Sequence, residues 1–373
     1  MIPLGIWALI GSVRRRELGH WAWSNKPWMA AGTAVVVGIG VLVWQPWQDP
    51  DPMLADQDSW QPLGRYVSEV TLPEEAAGLE VTGSPTTNAT KRLVLSAIDT
   101  YDQSKDFYDA VRARAGELVL HAPADDETVA IIVSDRHDNI GMDPVARAVA
   151  ERGGADVVLD AGDDTSTGSE WETFSLDSLD DAFEGFERYA VSGNHDHGSH
   201  VSSYLSEHGW ITAGPEPVAG PGGGTILAFD DPRSSGLGNW RDEPGLSVDD
   251  LAVRIADVAC ESEERVNTLL VHDKDMGTVA LDRGCVDLVV SGHQHVQLGP
   301  VRVPGANGER GYAYTNGTTG GAAYAIAVGS KLRRPAEVTL VTYREGRPVG
   351  LQPVTAQTNG EFVAGDYIDL STL

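Results

Sequence analysis

The sequence predicts an α/β fold, a sheet covered by helices on its faces, and three observations carry that expectation. From Thr128 onward, short runs of β-branched and small apolar residues alternate with segments of helical periodicity. All but one of those runs close on a cluster of acids, amides and histidines. After His295 the text turns β-rich, punctuated by Gly and Asn turns.

The chain opens on a stretch of different character. From Pro27 to Gln48 there is no charge in 22 residues, and Trp28, Trp44 and Trp47 stand at its edges. At 1.5 Å per residue such a segment spans a hydrocarbon layer of about 30 Å, with indoles placed as interfacial anchors. Arg14, Arg15, Arg16 and Lys26 precede it, and Asp49, Asp51 and Asp56 follow it. The positive-inside rule then places the N-terminal flank in the cytoplasm and everything after the span outside. Residues 1–13 are apolar but too short to cross comfortably. No A-x-A site follows Trp44, so the segment is expected to be an uncleaved anchor rather than a signal peptide.

Residues 1–48 therefore form the expected single-pass anchor, with the transmembrane helix at about 27–48, and residues 49–62, rich in Pro, Asp and Gln, a linker. Residues 63–122 form a small α+β lead-in, with strands at Arg65–Leu72 and Leu79–Gly83 and a helical pattern over Lys91–Leu118. The main domain follows over 123–373. Its strands are expected at 128–134, 156–161, 188–192, 225–229, 267–271 and 286–290, with helices near 143–152, 198–208 and 248–262. Further strands are expected at Tyr312–Asn316, Ala323–Val328, Glu337–Tyr343 and Pro348–Thr355. There is no internal repeat.

The 55 acidic residues against 27 basic give a formal net charge of -28. A surface that negative repels polyanions and gains nothing from counterion release, which argues against nucleic acid as the main substrate. Cys260 and Cys285 are the only cysteines. An outward location permits one bridge between them, but pairing is not fixed by sequence, and two separate buried thiols remain the alternative.

Five clusters carry the chemistry: Ser134-Asp135-Arg136-His137-Asp138-Asn139, Gly162-Asp163-Asp164, Gly193-Asn194-His195-Asp196, Val271-His272-Asp273 and Gly292-His293-Gln294-His295. In open α/β sheets the carboxyl ends of strands converge on one crevice, so these clusters can meet in space. Asp135, His137, Asp163, Asn194, His272, His293 and His295 offer two carboxylates, one amide oxygen and four imidazoles. That mix suits two divalent ions of the Mn, Fe or Zn type. A carboxylate between two such ions can bridge them, which offsets their repulsion at about 3.5–4 Å. Each piece alone is commonplace, but five of the ten histidines occupy these positions.

The ordered set D-x-H, G-D, G-N-H-D, H and G-H-x-H resembles the calcineurin-like metallophosphoesterase superfamily over residues 128 to about 320, including the trailing Asn316-Gly317-Thr318. The resemblance implies two β-sheets forming a sandwich flanked by helices, the metallo-dependent phosphatase fold. It implies that Asp135, His137, Asp163 and His295 hold one metal, and that Asp163, Asn194, His272 and His293 hold the other. A hydroxide bridging the two ions would attack phosphorus while both clamp the phosphate oxygens. His195, assigned no metal, would stabilise phosphate charge or protonate the leaving oxygen, with Asp196 hydrogen-bonded to its ring.

Other residues depart from the common pattern or stand near it. Asp164 replaces the apolar residue usual after G-D, and it either supports the ligands from behind or points to solvent. Arg136 either contacts substrate phosphate or is solvated. Asp231-Pro232-Arg233 follows another strand and is a candidate for lining the cleft. His197 and His200 read as surface residues, and Lys274 as a substrate contact or a strand cap. The expected activity is hydrolysis of a small phosphate mono- or diester outside the cytoplasm. The rival is a catalytically silent membrane-anchored binding or scaffold protein that keeps the fold. Completeness of the ligand set separates them, since a silent relative usually loses a ligand and none is missing here.

Overall fold

The structure is a computed structural model, and it describes residues 60–62, 80–82, 104–236, 239–242, 247–322 and 331–373. The chain divides into two compact units, Met1–Leu95 and Ser96–Leu373. In the first, β1 (Trp60–Pro62) pairs antiparallel with β2 (Glu80–Thr82), which falls within the strand expected at Leu79–Gly83. The expected membrane span at 27–48 and the strand at Arg65–Leu72 lie outside the described residues. Among the described residues no helix is long and apolar enough to cross a membrane.

The second unit begins with α1, residues 104–115, the described part of the helical pattern over Lys91–Leu118. Its Tyr108 and Val111 pack on Met142, Val145, Leu332, Ala336 and Ala356. Then come β3 (Glu127–Val133), α2 (Asp143–Arg152), β4 (Ala155–Asp160), α3 (Thr173–Ala182), β5 (Glu187–Ala190), α4 (His200–Glu207), β6 (Ile211–Thr212), β7 (Val218–Ala219), β8 (Thr225–Phe229), β9 (Arg233–Gly236) and β10 (Asn239–Asp242). The remainder is α5 (Val248–Glu261), β11 (Val266–Val271), α6 (Thr278–Arg283), β12 (Val286–Ser291), β13 (Leu298–Pro304), β14 (Arg310–Thr315), β15 (Ala336–Arg344), β16 (Arg347–Ala356), β17 (Phe362–Ala364) and β18 (Ile368–Asp369). The strand expected at Ala323–Val328 lies outside the described residues.

Two mixed sheets result. One runs β17-β16-β15-β3-β4-β5-β6, with β18 on β16, and the other β13-β14-β12-β11-β8-β7. β3, β4, β5 and β6 are mutually parallel in the first, as are β8, β11, β12 and β14 in the second. Successive side chains on a strand point to opposite faces, and here both faces are covered. Val129, Ile131 and Val133 of β3 pack against Val149 of α2, Leu179 of α3 and Leu205 of α4. Ala130 and Ile132 instead meet Ile226, Leu270, Leu288 and Val290 of the other sheet. On the far side, Leu269 and Val289 pack on Leu251 and Ile255 of α5 and Leu281 of α6. The order helices, sheet, sheet, helices is the two-sheet architecture that the motifs imply.

Polar groups inside the sandwich are paired across it. Tyr314 of β14 reaches Thr339 of β15 at 2.8 Å, and Tyr343 of β15 reaches Thr268 of β11 at 2.9 Å. Each buried aromatic ring thus keeps its hydroxyl satisfied, which avoids a penalty of about 1–3 kcal/mol. Cys260 of α5 and Cys285, the residue before β12, form a disulfide at the amino end of that strand.

Candidate metal centre

Every cluster singled out in the sequence leaves the carboxyl end of a parallel strand, so all of them meet at one end of the sandwich. The backbone there continues the ladders beyond the strands. Asp135 N–H donates to Gly162 O at 2.8 Å, His137 N–H to Asp163 O at 3.0 Å, and Gly292 N–H to His272 O at 2.9 Å. The turn Asn316-Gly317-Thr318 braces the first cluster, since the Thr318 hydroxyl donates to Asp135 O at 2.7 Å and Asn316 Nδ2 to Ser134 Oγ at 3.2 Å.

The same loops hold backbone strain. Among the described residues seven that are not glycine have positive φ, and Asp135, His137, Asp138, Asp163, His293 and His295 are six of them. Left-handed conformations of this kind cost about 1–3 kcal/mol each and persist only where the surroundings hold them. Here the surroundings are the inter-loop hydrogen bonds just described.

Asp135, His137, Asp163 and His295 form one group of convergent ligand atoms, and Asp163, His272 and His293 a second, each group lying within 4.8 Å. In the first, His137 Nε2 lies 3.1 Å from His295 Nε2 and 3.7 Å from Asp163 Oδ2, while His295 Nε2 lies 3.3 Å from Asp135 Oδ1. In the second, His272 Nε2 lies 3.3 Å from Asp163 Oδ2 and 3.0 Å from Asn194 Oδ1. Asp163 is common to both groups through one oxygen, Oδ2. Its other oxygen accepts the His195 N–H at 2.7 Å, which orients the carboxylate.

Charge inside the cluster is unevenly distributed. Burial pushes the Asp163 carboxyl up, but His272, His137 and His195 outweigh it and hold it well below the usual range. Burial pushes the His137 ring down to about 3 and the His293 ring down to about 4, so both are neutral at neutral pH. His272 runs the other way: Asp163, Asp135 and Asp231 overcome its burial and raise it well above an ordinary imidazole. The ring nitrogens of His137 and His295 and the carboxyl oxygens of Asp135 and Asp163 thus converge on one region, and a hydrogen between the two rings satisfies only one pair of these atoms. His137 Nδ1 is in addition a buried nitrogen without a partner. The donor set fits divalent cations, and neutral imidazoles with deprotonated carboxylates are the forms that ligate.

His195 stands beside this set, its ring 5.0 Å from that of His137 and perpendicular to it. The expected contact between Asp196 and the His195 ring is not what the structure has. Both Asp196 oxygens are spent on loop donors instead: the N–H groups of Asp163, Thr165 and Gly193 at 2.8–2.9 Å and the Thr165 hydroxyl at 2.8 Å. The His195 Nδ1 faces Ser166 O at 3.2 Å.

Arg136 is neither a phosphate contact nor solvated. It is fully buried and ion-paired to Asp143 at 2.6 Å and to Asp164 at 3.1 Å, which also explains the acid after G-D. Asp231 and Arg233 do reach the site's border, because Arg233 bridges Asp231 at 2.5 Å and Asp273 at 2.8 Å, and Asp273 lies 3.7 Å from His293 Nε2. His197 contacts Ser235 O and His200 contacts Thr173, both outside the ligand groups. Lys274 pairs with its neighbour Asp275 at 2.5 Å. Sequence reasoning missed Ser166 and gave Asp273, though inside a cluster, no role; a serine or an aspartate in a loop carries no signal of its contacts until its partners are in place.

Residues 129–297 match the model of the calcineurin-like phosphoesterase family. The chain thus carries a calcineurin-like phosphoesterase domain and is a phosphoric ester hydrolase. No curated protein matches the sequence. Among the solved structures that match is an archaeal phosphodiesterase, 14% identical, with 64% of this chain and 98% of that chain covered and a TM-score of 0.33.

Proposed function

We propose that the enzyme cleaves a phosphate mono- or diester with two divalent ions, one held by Asp135, His137, Asp163 and His295 and the other by Asp163, Asn194, His272 and His293, in a domain facing away from the cytoplasm. The observation that carries the reading is Asp163 Oδ2, shared by both ligand groups. Bound there, the ions supply a deprotonated water at neutral pH and neutralise charge on the phosphate oxygens.

The chain's own residues do the rest. Ser166 O can only accept, so His195 Nδ1 carries a hydrogen and Nε2 is left free. An imidazolium in this orientation donates from Nε2 to the leaving ester oxygen, keeps its Nδ1 hydrogen throughout, and returns as a neutral acceptor. Such proton transfer contributes about 10²–10⁴-fold. Asp196 gathers the loops that end in Asp163 and Gly193, and the His195 N–H fixes the free oxygen of Asp163, so the proton donor and the shared carboxylate move as one unit.

Two features support the outward location: the basic flank before an uncharged span at 27–48, and a disulfide between the chain's only cysteines, which persists in oxidising compartments. Purified enzyme is expected to hydrolyse an aryl phosphate or a bis-aryl phosphodiester only with divalent metal, and Asp163→Asn or His293→Ala is expected to abolish turnover. Wild-type turnover in either variant defeats the assignment. Protease added to intact cells is expected to digest the catalytic domain, and protection would reverse the topology.

A further inference from the structure

The first cluster holds one buried carboxylate that neither ligand group uses. Asp138 has φ 63°, and its N–H donates to Asp164 O at 3.0 Å. Its Oδ2 accepts from Ser166 twice, from the N–H at 3.1 Å and from the hydroxyl at 2.5 Å. The Ser166 N–H is shared with Glu172 Oε1 at 3.0 Å. Glu172 is itself anchored, since Oε2 accepts from the Thr167 hydroxyl and the Ser169 N–H, both at 2.7 Å. The donors of Ser166 are thereby held from two sides. Its remaining polar group, the carbonyl, faces His195 Nδ1.

From this chain of contacts we infer that Asp138 is a positioning residue for His195, acting through Ser166, with Glu172 as the second anchor. The inference rests on His195 being the proton donor of the proposed reaction. Two buried carboxylates on one serine are costly to desolvate, and among the described residues neither is in an ion pair. What the arrangement fixes is the direction of one carbonyl, and that direction sets both the tautomer and the ring plane of His195. Misplacement of a reacting group by about 1 Å can cost about 10²-fold in rate.

The test is a double-mutant cycle with Asp138→Leu and His195→Ala on an aryl phosphate, read with metal content and with imidazole ¹⁵N NMR of the metal-free protein. Asp138→Leu is expected to lower kcat by about 10–100-fold, with KM and metal content unchanged and with loss of the His195 Nδ1–H tautomer preference. In the His195→Ala background it is expected to cost nothing further. Asp138→Asn, whose amide oxygen still accepts from Ser166, is expected to recover most of the rate. Should the leucine variant not fold, Ser166→Ala removes the 2.5 Å tether alone, with a smaller loss that also vanishes without His195. Equal losses in both backgrounds, or loss of metal with Asp138→Leu, overturn the inference while leaving His195 in the mechanism. Full turnover in His195→Ala removes His195 and the inference together, with metal-dependent hydrolysis still standing.

Discussion

Asp163 owes its place to the glycines around it. A Cβ on Gly193 would lie 2.2 Å from Asp163 Oδ1 and 2.5 Å from its backbone nitrogen, and one on Gly162 would lie 2.5 Å from Gly193 N. The G-D and G-N-H-D loops can approach only because both lack side chains there. Gly193→Ala is therefore expected to displace the shared carboxylate, lowering metal content and cutting turnover by about 10²-fold, as elemental analysis and initial rates would show. The ligands were legible in the sequence because acids, an amide and histidines stand where apolar runs end. The partners of His195 and Arg136 were not. Asp196 adjoins His195 in sequence, yet its carboxylate turns to the loop backbone, and Arg136 sits between two ligands, yet its guanidinium turns inward to Asp143 and Asp164.

At the scale of elements, the expected strands at 225–229 and 286–290 and the helices at 143–152 and 248–262 are found within a residue of their expected ends. Burial on both faces makes such strands continuous apolar runs. α3 was invisible because only Ser175, Leu176 and Leu179 are buried in a segment crowded with acids. α6 spans six residues, too short to show a period, and β13 is an edge strand carrying Pro300 and Pro304.

The opposite end of the sandwich, away from the ligands, is tied by Asp287 at the start of β12, which accepts from Arg265 at 2.6 Å, Asn267 at 2.7 Å and Arg347 at 3.0 Å. Arg347 belongs to the other sheet, so this carboxylate links the two. Burial pushes the Asp287 carboxyl up, and Arg347, Arg265 and Asn267 outweigh it and hold it below the usual carboxylate value. A depressed pKa gives stability that is present above the unfolded value, about 3.9, and lost as pH falls through the folded value. Asp287→Asn is expected to cost about 1–3 kcal/mol in urea unfolding at pH 7. The difference from wild type is expected to close below about pH 4; a gap independent of pH would show that the charge is not what binds the sheets.

For the whole molecule, the sequence order of the clusters hides their geometry, because Asp135 and His295 are far apart in the chain and 3.3 Å apart in the fold. What made the convergence readable is a rule of sheets: parallel strands end together, and the loops after β3, β4, β5, β11 and β12 share one rim. The division into two stacked sheets followed from the resemblance carried by the clusters, since alternation of strand and helix does not separate one sheet from two. The central claim is a pair of metal positions joined by Asp163, and metal stoichiometry of the purified protein tests it most directly. Titration with Mn²⁺ or Zn²⁺ after chelation is expected to show two ions per wild-type chain, with neither bound at full affinity in Asp163→Asn. One ion per wild-type chain, or two still bound tightly in that variant, would contradict the account.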